Sequence, residues 1–168
     1  MISKKMNAAL NNQVNAEMFS SNLYLSMSAW FSERSLTGFA NWMRVQVEEE
    51  QFHGMKIYDY ILERGGSVSL GSIDKPESNW GSPLKVIKDV AKHEAKVTAL
   101  VNDLVDVALE ERDHAANIFL QWFVEEQVEE EASVGEVLDK MKMIGDDSAG
   151  MFAMDMELGK RVFTPPSS

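Results

Sequence analysis

Residues 39–60 read FANWMRVQVEEEQFHGMKIYDY. Taken in alternating steps of four and three, the stretch yields Phe39, Met43, Gln46, Glu50, His53, Ile57 and Tyr60. That spacing sets them on one face of an α-helix, the face that a bundle buries. The face is apolar at both ends and polar in the middle, where Glu50 and His53 stand three residues apart. Side chains at that spacing lie one turn from each other, so a carboxylate and an imidazole can converge on one ion.

Three further stripes repeat the pattern. The first is Leu10, Val14, Glu17, Ser21, Tyr24, Ser28, Phe31. Another is Ile87, Val90, Glu94, Val97, Val101, Leu104, Ala108. The last is Ala116, Leu120, Phe123, Gln127, Glu130, Val134, Val137, Met141. Four such helices predict an all-α bundle whose core is broken at mid-height by carboxylates. Burying an unpaired carboxylate costs several kcal/mol, and no stripe contains a Lys or Arg to offset it. Glu17, Glu50, Glu94 and Glu130 sum to −4, and neutral His53 and Gln127 add nothing, so two divalent cations balance the set. Oxygen donors with one imidazole suit iron or manganese, and Glu50 is placed to bridge two ions. Protonated, mutually hydrogen-bonded glutamates are the alternative, because close carboxylates raise one another's pKa.

The punctuation of the chain sets the topology. The first helix is expected from about Ser3 to about Arg34, and a turn around Ser35–Gly38 leads to a second that stops at Gly65-Gly66. Residues 67–81, with Gly71, Pro76 and Gly81, read as a long extended connection. Ser82-Pro83 reads as an N-cap followed by proline at the first helical position. The third helix reaches about Glu111. Asp113 caps a fourth to about Ile144, and a short fifth covers roughly Ala149 to Val162. Each long helix, at about 28–32 residues, measures roughly 42–48 Å, a length that the crossover between the second and third can span. The expected organisation is one domain over residues 1–162 and a disordered tail over 163–168.

Composition narrows the function classes. The chain has 168 residues, no cysteine and a formal charge of −11. Disulfides and thiolate chemistry are excluded, in keeping with a cytoplasmic location. No Lys/Arg cluster tracks a phosphate backbone, so neither nucleic acid nor an anionic membrane is an expected partner. No run approaches the roughly 18 apolar residues of a membrane span.

Local stretches carry a family resemblance. Asn15-Ala16-Glu17 with Ser20-Ser21 and Tyr24, Glu49-Glu50-Gln51-Phe52-His53, Lys92-His93-Glu94, and Phe119–Phe123 followed by Glu126–Glu131 together resemble ferritins, most closely bacterial non-haem ferritins. The resemblance spans essentially the whole chain. It implies a ferritin-like bundle with a crossover between helices two and three, a fifth C-terminal helix, and a hollow homo-oligomeric shell of 24 subunits. It also implies that Glu17, Glu50 and His53 hold one iron, and that Glu50, Glu94 and Glu130 hold a second with Gln127 beside it. The implied activity is ferroxidase: oxidation of Fe(II) by dioxygen or hydrogen peroxide, with storage of the Fe(III) mineral. Glu49, Glu126, Glu129 and Glu130 match a third iron site in that family, and Tyr24 matches a tyrosine beside the metal pair that can donate an electron.

Departures from relatives sharpen the reading. Where rubrerythrins and bacterioferritins carry a second Glu-x-x-His, this chain has Gln127-x-x-Glu130; where bacterioferritins place a haem-ligating Met, it has Gln51. Haem is therefore not expected. Asn117 and Leu120 stand where animal ferritins line a pore with acids. His93 and His114 fall off the stripes and read as surface or interface residues, and Trp122 reads as packing. Met141, Met143, Met151, Met154 and Met156 read as flexible core filler. Phe152, Met156 and Leu158 give the fifth helix an apolar surface that a complete four-helix core leaves without a place to bury. The alternative functions are a diiron enzyme that detoxifies peroxide without storing iron, and a non-catalytic shell subunit.

Overall fold

A computed structural model describes residues 1–165. Five helices follow in order: α1 (Lys4–Ser32), α2 (Thr37–Glu63), α3 (Pro83–Glu110), α4 (His114–Ile144) and α5 (Ser148–Leu158). No strand occurs among the described residues. The caps predicted at Ser82 and Asp113 are in place, and Ser3 supplies a third. Ser3 Oγ accepts from the Met6 amide at 3.0 Å, Ser82 Oγ from Lys85 at 3.2 Å and Asp113 Oδ1 from Ala116 at 3.0 Å. These bonds satisfy amides that the first turn of a helix leaves without partners. Gly65, at φ 70°, closes α2 in the left-handed region that glycine adopts without strain.

Two ends differ from the sequence expectation, and both lie where α2 meets α5 and the segment after it. The α2 helix starts at Thr37 without a cap of its own. Asp155 of α5 supplies one, its Oδ1 accepting from the Gly38 amide at 2.8 Å and the Phe39 amide at 3.0 Å. A Cβ on Gly38 would stand 1.6 Å from the Asp155 carbonyl oxygen, so the close approach requires glycine. The α5 helix ends at Leu158, short of Val162, and Asn41 Nδ2 of α2 holds the chain at and just beyond that end. It donates to the oxygens of Leu158 (3.5 Å), Gly159 (3.4 Å) and Arg161 (2.9 Å). Of the expected disordered tail, residues 166–168 lie outside the described residues, while Phe163 rests on Phe52 with ring centroids 6.4 Å apart.

The crossover is hung on α1 by an asparagine ladder. Asn7, Asn11 and Asn15 repeat every fourth residue on one helical face. Their Oδ1 atoms accept from the amides of Ser67 (3.0 Å), Ser69 (2.6 Å) and Gly71 (3.1 Å). Their Nδ2 groups donate to the carbonyls of Ser67 (3.1 and 3.0 Å) and Ser72 (3.0 Å). An extended segment with no sheet partner thus finds acceptors and donors on a helix.

The bundle has two apolar cores rather than one. Met27, Phe31, Phe39, Met43, Ile87 and Met141 belong to one, and Leu10, Ile57, Ile61, Val101, Leu104 and Leu120 to the other. Gln13, Glu17, Gln46, Glu50, His53, Glu94, Gln127 and Glu130, all buried, belong to neither. The α5 helix adds Met154 and Leu158 to the first core but leaves Phe152 68% and Met156 58% exposed. Leu158 therefore has a place within its own subunit. Met143 and Met156 are exposed and fill no core.

Candidate metal centre

The polar waist draws one group from each long helix. From α1 come Gln13, Glu17 and Tyr24, and from α2 Gln46, Glu49, Glu50 and His53. Glu94 comes from α3, and Glu126, Gln127, Glu129 and Glu130 from α4. Glu17, Glu50 and His53 each offer one ligand atom, and these atoms lie within 4.8 Å of one another. His53 Nδ1 stands 3.8 Å from Glu50 Oε2.

Neighbouring groups hold the remaining carboxylates. Tyr24 donates its hydroxyl proton to Glu94 Oε1, and Gln127 Nε2 donates to Glu94 Oε2 at 3.3 Å. Gln46 Nε2 donates to Glu130 Oε2 at 2.8 Å, and Gln13 Nε2 to Glu17 Oε1 at 2.7 Å. Two carboxylate oxygens, Glu17 Oε2 and Glu50 Oε2, are buried with no hydrogen-bond partner. Buried polar atoms in folded proteins nearly always have one. Both orphans belong to the Glu17–Glu50–His53 group, so a cation there would satisfy them together.

The electrostatics point the same way. Burial, then the negative charge of Glu50, pushes the Glu17 pKa well above its usual range. Burial and then Glu94 do the same to Glu50. Glu94 is pushed up to about 7, by burial first and Glu130 second, against the hydrogen bonds from Tyr24 and Gln127. Tyr24 is raised by burial and by Glu94, which keeps its phenol protonated as a donor. Without a cation, the waist favours protonated carboxyls.

The outer carboxylates are less gathered. Glu126 Oε2 lies 4.0 Å from His53 Nε2, and burial raises its pKa. Glu129 is exposed. Glu49 is engaged by Arg161, whose Nη2 donates to both of its oxygens at 3.0 and 2.8 Å. Burial nevertheless brings Glu49 up to about 7, with Arg161 opposing.

Arg161, Gln46 and Gln13 were not assigned site roles from the sequence. Gln46 lies on the α2 stripe and Gln13 one residue off the α1 stripe, and spacing distinguishes neither from an ordinary polar residue near the ligands. Arg161 lies beyond the last helix, where no period points inward. His93, expected at the surface or at an interface, is half-buried between α3 and α1. Its Nε2 is 2.8 Å from Ser20 Oγ and its ring stands edge-on to Tyr24 at 5.7 Å. Burial and then Lys96 lower its pKa to about 4. His114 is exposed, and Leu120 is sealed in the apolar core. Trp122 packs on His53, ring centroids 5.4 Å apart.

Comparison with known proteins identifies the family of the chain. A family model described as a ferritin-like domain matches residues 7–144. The bacterial non-heme ferritin of Bacteroides fragilis is 48% identical over 161 residues, 96% of this chain and 100% of that protein. That of Staphylococcus aureus is 39% identical over 163 residues, 97% of this chain and 98% of its own. A solved structure of an open pore ferritin from the hyperthermophilic archaeon Archaeoglobus fulgidus superposes with a TM-score of 0.95 at 48% identity. It covers 96% of this chain and 98% of that one. With the family model over most of its length and relatives matched end to end, the chain belongs to the ferritin family.

Proposed function

We propose that this chain is the subunit of a cytoplasmic iron-storage shell of 24 copies, and that each bundle is a ferroxidase acting on Fe(II) as its substrate. The observation that carries the reading is the pair of orphaned buried oxygens on Glu17 and Glu50, beside His53. Glu17, Glu50 and His53 would receive one Fe(II). Glu50, Glu94 and Glu130 would receive the second, with Gln127 beside it. The four carboxylates then balance two divalent ions, and the protons they hold when empty leave as metal binds.

Oxidation removes one electron from each Fe(II). Dioxygen takes the two electrons with two protons to give hydrogen peroxide; hydrogen peroxide takes them with two protons to give two waters. The chain's contribution is to fix the ions at one spacing in a dry waist. Gln13, Gln46 and Gln127 orient the carboxylates, as outer partners of metal ligands do. Tyr24, bonded to Glu94, is the redox-capable side chain best placed to supply an electron. Glu49, Glu126, Glu129 and Glu130 form an outer third site through which iron passes to the mineral. Exposed Phe152 and Met156 on α5 supply apolar surface for contacts between subunits in the closed shell.

Aerobic addition of Fe(II) to the apo-protein, followed by a sizing column, tests the combined reading. Ferric colour is expected faster than in buffer, with iron eluting in a very large particle. Colour no faster than in buffer removes the ferroxidase. Oxidation without iron in the large particle favours the peroxide-detoxifying alternative.

A further inference from the structure

The segment after α5 is laid back along α2 and ends its path at the outer carboxylates. Asn41 holds its backbone by the Arg161 carbonyl at 2.9 Å. The Arg161 guanidinium lies 5.4 Å from the Trp42 ring centroid and grips Glu49 by both oxygens. Its Nη1 donates to Gln46 Oε1, and the same amide's Nε2 donates to Glu130 Oε2 at 2.8 Å. One cation is thus wired to two of the four outer carboxylates, directly to Glu49 and through Gln46 to Glu130. Arg161 and Glu49 side chains are only 25% and 22% exposed, so solvent screens the pair weakly.

We propose that Arg161 is the resident counter-cation of the outer site. In the metal-free subunit its guanidinium fills the role of the absent ion, holding Glu49 and ordering Glu130. A divalent cation that binds there takes Glu49 away from it, and the 159–163 segment loosens from α2. The proposal rests on the reading that Glu49, Glu126, Glu129 and Glu130 bind a metal ion. Two effects act in one direction: the incoming ion must break a bidentate, charge-assisted contact, and it meets like charge at close range. The loss of Gln46 ordering acts the other way but involves one neutral amide. Arg161 is therefore a positioning residue that makes the outer site weaker than the inner pair, so that ions fill the pair first and do not linger outside it.

Redox-inert Zn2+ titrated calorimetrically into wild-type, Arg161→Gln and Arg161→Lys shells, each checked for size on a column, separates the terms. Arg161→Gln is expected to tighten the third Zn2+ per subunit about tenfold, the effect of losing one charge-assisted contact. The first, whose ligands Glu17, Glu50 and His53 are not wired to Arg161, should be unchanged, and Arg161→Lys should fall between. In the wild type, hydrogen exchange over residues 159–165 should quicken with the third equivalent and not with the first two. A third affinity unchanged or weakened in Arg161→Gln overturns the proposal, as does a loaded wild type whose exchange stays slow. If Glu49→Gln, Glu126→Gln and Glu129→Gln together leave the third event intact, the outer site itself is wrong and the proposal falls with it.

Discussion

At the scale of single residues, the waist is an arrangement that costs stability until a cation arrives. Glu17 shows this most clearly. One of its oxygens is held by Gln13 and the other is orphaned. Replacing it by Gln keeps the shape and removes the charge that burial penalises. Glu17→Gln is therefore expected to raise the Tm of the metal-free protein at pH 8, by about 2–4 °C for each kcal/mol relieved. The same change should weaken Zn2+ binding at the pair by about tenfold or more. Differential scanning calorimetry and titration calorimetry read the two effects. A lower apo Tm with unchanged Zn2+ affinity would place Glu17 in a purely structural role.

At the scale of elements, α5 acts as a clasp. It caps α2 through Asp155, and the segment after it, held by Asn41, carries Arg161 to the outer carboxylates. Gly38→Ala puts a methyl group where the Asp155 carbonyl already sits. The change is expected to cost at least about 1–3 kcal/mol of overpacking and to displace α5. Lower Tm and smaller species on a sizing column would report it; an unchanged particle would show that α5 can shift freely.

Most of the elements were legible in the sequence because caps are local chemistry: Ser82 and Asp113 announce helices with their own side chains. The start of α2 was not, because its cap comes from a residue more than a hundred positions away. The asparagine ladder passed unread, since three exposed-looking amides at a spacing of four do not say which strand they will hold. Among site residues, Glu17, Glu50, His53, Glu94, Gln127 and Glu130 were visible as interruptions of an apolar period. Arg161 was invisible for the same reason: it belongs to no period. His93 reaches Ser20 and Tyr24 because a residue one step off the α3 stripe can still be covered by α1.

At the scale of the whole molecule, the waist couples protonation, metal binding and stability. Glu49 and Glu94 have folded pKa values of about 7 against an ordinary 4.5. Between those values the native state binds more protons than the unfolded chain. Their contribution to apo stability is therefore present below about pH 4.5 and lost as pH rises through about 7. Metal ions bind the deprotonated carboxylates and reverse the penalty. The rise in Tm caused by saturating Zn2+ is expected to be larger at pH 8 than at pH 5.5. An equal rise at both would mean that ions bind away from the waist. Among the described residues, no helix is long and apolar enough to cross a membrane.

Rapid mixing is the most direct test of the paired site. Apo-protein meets increasing Fe(II) in air-saturated buffer while ferric absorbance is followed, with wild type beside Glu17→Ala and Glu50→Ala. The expected result is a fast phase that saturates at two irons per subunit in the wild type and slows by at least about 100-fold in either variant. A fast phase that survives both substitutions, or that saturates without relation to the number of subunits, would contradict the assignment of the waist as the ferroxidase centre.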